Sequence, residues 1–152
     1  MNRFIVILRH AQSAGKQAGQ SDYQRTLTEE GERAAKALGI FLTNQSVKPD
    51  YLLSSSAVRA RSTAKGVNES MQIAPSHICY LDDLYEATPD TWLNEIRSIP
   101  DEHRALLLVG HNPAISQLAT AFGGRTIDLA PAGHFSIQLQ LDSWKDLRLE
   151  IV

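Results

Sequence analysis

The sequence predicts an α/β protein: a three-layer α/β/α sandwich with a mostly parallel central sheet and an antiparallel edge hairpin at its C-terminal end. Three observations predict it. Short, nearly continuous aliphatic runs recur along the chain, as in strands buried on both faces. Stretches of helical period separate them, and that alternation marks crossover-connected parallel strands. Beyond Gly133 the pattern changes to strict alternation, the period of a strand with one wet face.

The aliphatic runs are Phe4–Leu8, Tyr51–Leu53, His77–Leu81 and Leu106–Val109. Before the second run, Leu27, Ala34, Ala35, Leu38, Phe41 and Leu42 fall on one helical stripe. Thr28 followed by Glu30–Glu32 supplies a start for that helix, with acidic groups at the positive end of its dipole. Pro49 lies just past its end. A second helix is expected from near Ser56 to about Ser70. A third begins at Pro89-Asp90, carries Trp92, Leu93, Ile96 and Ile99, and stops at Pro100. Pro113 opens a fourth, with Ile115, Leu118, Ala119 and Phe122 inward and Gly123-Gly124 at its close. Phe135, Ile137, Leu139 and Leu141 alternate, and Leu147, Leu149 and Ile151 repeat the period, so two strands joined at Asp142–Asp146 are expected.

A chain of 152 residues is the size of one domain, and no linker, repeat or low-complexity segment divides residues 1–152. Fifteen Lys and Arg against 17 Asp and Glu give a net charge of −2, too little field to gather nucleic acid or anionic lipid. No apolar run approaches the roughly 20 residues of a membrane span. The run Phe4–Leu8 is too short for a signal peptide. The single cysteine, Cys79, excludes an internal disulfide framework and cysteine-based metal clusters. A reduced, cytoplasmic protein is expected.

In open α/β sheets ligands sit at the carboxyl ends of the strands. Applied here, the rule collects Arg9-His10-Ala11 after the first strand, Ser54-Ser55-Ser56 with Arg59 after the second, Tyr85-Glu86-Ala87 after the third and Gly110-His111-Asn112-Pro113 after the fourth. Two guanidiniums offer forked donors to phosphate or carboxylate oxygens. Two imidazoles can act as nucleophile, proton carrier or metal ligand. Phosphoryl transfer asks for positive groups around three equatorial oxygens and an in-line nucleophile, and this cluster has both. The sequence holds no G-x-x-x-x-G-K-[ST] loop, no G-x-G-x-x-G fingerprint and no H-E-x-x-H helix. No cofactor and no metal are expected.

Arg9-His10-Ala11, Ser55-x-x-x-Arg59-Ala60-x-x-Thr63 and Val109-Gly110-His111-Asn112-Pro113 resemble the three signatures of the histidine phosphatase superfamily. Arg25-Thr26-Leu27-Thr28-Glu29-Glu30-Gly31, with the short chain, resembles its SixA-type phosphohistidine phosphatases. The likeness runs through the chain in order. It implies that His10 is the phosphorylated nucleophile and that Arg9, Arg59 and His111 bind the phosphoryl group, with Arg25 adding positive charge. Ala11 stands where most of the superfamily has Gly, and Ser56 and Ser62 stand at positions commonly Pro and Gln. The superfamily's proton donor is an acidic residue after the third strand, close to Glu86.

Plainer readings stand beside these. Arg25 could simply pair with Asp22 or Glu29, and Glu86 could be a solvated loop carboxylate. His77, His103 and His134 have no motif or ligand spacing, Trp92 and Trp144 read as packing groups, Arg61 as a surface residue and Cys79 as an inert buried thiol. The reading that results is a metal-independent phosphatase working through phosphohistidine on His10. One ring nitrogen must be held by an acceptor such as a backbone carbonyl, so that the other faces the substrate. The expected substrate is phosphohistidine on a protein partner. The superfamily's small-molecule enzymes usually carry long insertions over the site, whereas the roughly 25 residues from Glu86 to His111 are used up by a helix and a strand. The alternatives are a small-molecule phosphomonoesterase on the same scaffold and a non-catalytic phospho-binding module.

Overall fold

A computed structural model describes residues 1–149 of the chain. In order, its elements are β1 (Asn2–Arg9), α1 (Glu29–Thr43), β2 (Tyr51–Ser55), α2 (Val58–Met71), β3 (Ile78–Leu81), α3 (Pro89–Arg97), β4 (Ala105–Gly110), α4 (Ala114–Gly123) and β5 (His134–Gln140). The strands form one sheet in the order β3-β2-β4-β1-β5. The first four run parallel, and β5 runs antiparallel to β1 at the edge.

Successive side chains of a strand point to opposite faces, and the core divides accordingly. Ile5, Ile7, Leu53, Leu106 and Leu108 meet α3, α4 and Trp144 on one face. Val6, Leu8, Leu52, Leu107 and Val109 meet α1 and α2 on the other. This is the expected three-layer arrangement. Helices α1 and α2 approach closely because Gly39 lacks a side chain: a Cβ there would lie 2.3 Å from the Val67 carbonyl oxygen. Thr28 caps α1, its side chain accepting from the Gly31 amide ahead of Glu29, Glu30 and Glu32. Gly124, at φ 69°, closes α4.

The expected edge is antiparallel, but it is one strand rather than a hairpin. Residues 147–149 form no strand, and Ile151 lies outside the described residues. The cause is Trp144, which is completely buried, its indole donating to the His103 carbonyl at 2.7 Å within a short 3₁₀ turn. Arg97 then claims the Leu147 carbonyl from two of its nitrogens, at 3.0 and 2.6 Å. Those contacts fold the tail onto α3 instead of returning it along β5.

Three smaller departures have similar origins. Phe41 sits on the expected helical stripe yet is 51% exposed, its ring against that of His134. Strand β3 is half-buried throughout because it lies at the other edge of the sheet. His77 precedes it in a 3₁₀ turn, Pro75–His77. Cys79 is half-buried, and burial pushes its thiol pKa up. Arg61 lies over the Tyr80 ring. No helix of the described residues is long and apolar enough to cross a membrane.

Candidate active site

Strand register assembles the site. Strands β1 and β4 are neighbours, with Arg9 level with Gly110, so the next residues, His10 and His111, emerge side by side. Their ring centroids are 5.2 Å apart. Strand β2 lies on the far side of β4, and Arg59 follows as the second residue of α2. A single hydroxyl joins these elements: Thr63 accepts from the Ala11 amide at 2.9 Å and donates to the Arg59 carbonyl at 2.7 Å. Arg9, His10, Arg25, Arg59, His111, Gln12, Ser13, Asn112 and Pro131 line one cavity of about 280 Å³.

His10 is buried, and its Nδ1 lies 2.7 Å from the Ala11 carbonyl oxygen. A carbonyl can only accept, so Nδ1 carries the proton and the Nε2 lone pair is free. Burial lowers the His10 pKa to about 4; the Ala11 contact opposes this, while Arg59, Arg9 and Arg25 add to it. His111 is lowered further, to about 3, by burial first and then by His10 and Arg59. Both rings are therefore neutral at pH 7. His111 Nε2 lies 2.8 Å from the Ser55 hydroxyl, which leaves Nδ1 buried without a partner.

Two other buried atoms at this site also lack partners: Arg9 Nε and Arg59 Nε. A buried N–H left unpaired costs about 1–3 kcal/mol, so such groups gathered in one cavity mark a place for an acceptor. An anion with several oxygens fits them. The fourth such atom among the described residues, Trp92 Nε1, lies in the core beneath Gly110, and nothing in the structure explains it. The remaining donors hold the walls in place: one terminal nitrogen of Arg9 donates to the Leu129 carbonyl, as does the Asn112 amide.

Arg25 stands between the cavity and an acidic neighbour. It lines the cavity, and it pairs with Asp22 at 3.1 Å. Glu86 is placed differently. It is exposed and lines an adjoining cavity of about 330 Å³ with Leu84, Tyr85, Ala87 and Pro113, sharing only His111 and Asn112 with the first. Three contributors were given no role by sequence reasoning. Ser55 and Thr63 stand inside the second motif, whose spacing gave no sign of their hydrogen bonds. Asp22 was considered only as a neighbour of Arg25, yet it contacts Arg59 through its carbonyl at 2.8 Å and its carboxylate at 3.0 Å.

The fold and the site define a class: an open α/β protein whose cavity is lined by arginines and by a neutral imidazole with one free nitrogen. The chain belongs to the histidine phosphatase superfamily (branch 1), whose family model matches residues 5–94. It is 37% identical over 120 residues to an uncharacterized protein of Mycobacterium leprae, covering 77% of this chain and 71% of that one. Among crystal structures it is similar to a chain of Agrobacterium tumefaciens provisionally named a SixA phosphohistidine phosphatase. That match has 28% identity and a TM-score of 0.80 over 88% of this chain and 90% of that one. It shares its fold with the protein histidine phosphatase SixA complexed with tungstate, at 23% identity and a TM-score of 0.77 over 88% and 86% of the two chains.

Proposed function

We propose that this chain is a phosphohistidine phosphatase that acts on a histidine-phosphorylated protein and needs no metal. The observation that supports it most is the disposition of His10. Its Nδ1 is tied to the Ala11 carbonyl, and its ring lines one cavity with Arg9, Arg59 and His111, each of which holds a buried nitrogen without a partner. In the first step His10 Nε2 attacks phosphorus, and the P–N bond of the substrate breaks. The departing imidazole keeps the bonding electrons and takes a proton from water. Arg9, Arg59 and His111 meet the charge of the transferring group, which is most effective from positions already fixed. Water then attacks the phosphorus on His10, releasing phosphate and restoring the neutral ring. With His111 Nδ1 donating, the Ser55 hydroxyl donates to Nε2, so the ring need not be charged to serve.

The protein substrate is supported by the openness of the site. Between Glu86 and His111 the chain builds α3 and β4 and adds no roof. The test is brief incubation with a protein bearing labelled phosphohistidine, followed by an alkaline quench and peptide mapping. An acid-labile label on His10, lost in His10→Ala, is expected, with turnover unchanged by EDTA. Hydrolysis of sugar or nucleotide phosphates in preference to phosphohistidine would favour a small-molecule phosphomonoesterase. Binding of phosphate without turnover would leave a non-catalytic module. Label elsewhere, or chelator-sensitive turnover restored by a divalent ion, would overturn the mechanism.

A further inference from the structure

We propose that Asp22 is a positioning residue: it clasps Arg59 and Arg25 at the rim of the cavity and so fixes the Arg59 guanidinium with its Nε–H free for the phosphoryl group. The proposal rests on the phosphoryl-transfer reading of the cavity but not on the identity of the substrate.

A carboxylate at the edge of an anion site repels the ligand, so its presence calls for a compensating role. Its contacts supply one. Arg59 donates from one terminal nitrogen to the Asp22 backbone carbonyl at 2.8 Å and from the other to Oδ2 at 3.0 Å. Arg25 donates to Oδ1 at 3.1 Å, and the Tyr85 hydroxyl donates to Oδ2. Of the five N–H donors on Arg59, Asp22 engages one on each terminal nitrogen, while Nε is buried and has no partner. Asp22 therefore does not block this guanidinium. It occupies one end and leaves the inner donor available. Arg25 is held more completely, its other nitrogens donating to the Ala14 carbonyl and the Ser13 hydroxyl.

Tyr85 extends the clasp. Its ring lies 5.8 Å from the Arg59 guanidinium carbon and edge-on to His111 at 5.5 Å, so holding its hydroxyl also steadies the wall beside His111. Asp22 is itself anchored. It begins a 3₁₀ turn, Asp22–Gln24, in which the Gln24 side chain accepts from the Ser21 amide, and the next residue, Tyr23, donates to the Ser56 hydroxyl at 2.7 Å. A proton-donor role does not suit it. Tyr85, Arg25 and Arg59 all donate to the carboxylate and hold its pKa well below the usual range, so Asp22 stays ionised.

The test is a double-mutant cycle between Asp22→Ala and Arg59→Lys, with a measurement independent of turnover. Asp22→Ala is expected to lower kcat about 10–100-fold where Arg59 is present, the span of a lost charge-assisted hydrogen bond, and less than about 3-fold in the Arg59→Lys background. The shape of the pH–rate profile should not change. In ¹⁵N NMR, the Arg59 Nε–H resonance should be resolved and shift on titration with inorganic phosphate. In Asp22→Ala it should broaden and lose most of that response, with the unfolding midpoint unchanged. Equal losses in both backgrounds would show that Asp22 does not act through Arg59. Loss of a limb of the pH profile would make it a proton carrier. Phosphate binding tightened tenfold at constant kcat would make it a competitor for the guanidinium. An unaltered Arg59 resonance would overturn the clasp outright. The NMR arm requires no turnover, so failure of the phosphohistidine reading would not be mistaken for failure of this one.

Discussion

Two ends of the same sheet bury arginine in opposite ways. At the amino end of β1, Arg3 is 1% exposed and its guanidinium is fully engaged. It donates to the carbonyls of Leu141, Asp101, His103 and Asp142 at 2.7–3.3 Å and lies over the Trp144 ring. At the carboxyl end, Arg9 and Arg59 each keep an Nε–H with no acceptor. The histidines repeat the contrast. His103 packs between Tyr51 and His77 with Asp50 at 3.8 Å, whereas His10 and His111 face a cavity. Arg3 and Arg59 are both buried, as are His103, His10 and His111. What separates a structural end from a chemical one is whether the polar atoms are satisfied by the protein itself.

That contrast can be broken at either end. Arg3→Ala is expected to destabilise the fold by about 3–5 kcal/mol, because it strands four carbonyls, that of His103 buried, and leaves a cavity beside Trp144. The activity of the remaining folded molecules should be unaffected. Arg59→Ala should do the reverse, lowering kcat/KM about 10²–10³-fold while stability moves by less than about 1 kcal/mol. Denaturant unfolding and steady-state kinetics on both variants check the pair. Equal effects of the two on stability would mean that the unpaired donors are incidental.

The histidines give an effect readable by pH. The folded His10 and His111 pKa values lie near 4 and 3, below the ordinary 6.5, so between those limits the unfolded chain binds protons that the native state refuses. Their contribution to stability is therefore complete above pH 6.5 and lost as pH falls through about 4 for His10 and about 3 for His111. Ring-proton NMR should show both imidazoles neutral at pH 5.5. Inorganic phosphate should raise both pKa values, since an anion in the cavity opposes the burial and the guanidinium field that lower them. Titration near 6.5 without phosphate would show that the rings are not buried as described.

The smallest effect is expected at Glu86, outside the phosphate cavity. An alkoxide leaves with difficulty unless it is protonated, whereas imidazole leaves readily. Glu86→Gln should therefore slow the hydrolysis of alkyl phosphates by at most about 10-fold, short of the roughly 10²–10⁴-fold of a well-placed general acid, and that of phosphohistidine less. Equal change in both would give Glu86 a role in shaping the adjoining cavity instead.

The sequence made the strand ends legible because they follow from two periods and one rule: aliphatic runs mark the strands, and ligands gather where parallel strands stop. His10, His111 and Arg59 required nothing more. The contacts of Asp22 with Arg59 and Tyr85 were hidden because they join segments 37 and 63 residues apart, where no periodicity operates. The spacing Asp22-x-x-Arg25 was visible, but a surface pair explains it equally well without the fold. The tail misled for the opposite reason. Its alternation was real, yet one indole seeking an acceptor and one arginine seeking a carbonyl overrode the ladder that alternation predicts.

The segment between His10 and α1 is closed at its neck. The Thr28 amide donates to the Gln12 carbonyl, the Ala14 amide to the Thr26 carbonyl, and Ser13 and Leu27 form an isolated antiparallel bridge. Gly31 permits that closure, since a Cβ there would lie 2.2 Å from the Gln12 carbonyl oxygen. Beyond the neck, residues 15–19 are mostly exposed and include Gly19 in the left-handed region. A loop pinned at its stem can change length at its tip at little entropic cost, roughly 0.6 kcal/mol per doubling. This stretch is thus a natural point of divergence. Insertions there can alter which surfaces reach the cavity while His10, Arg9 and Arg59 stay in register.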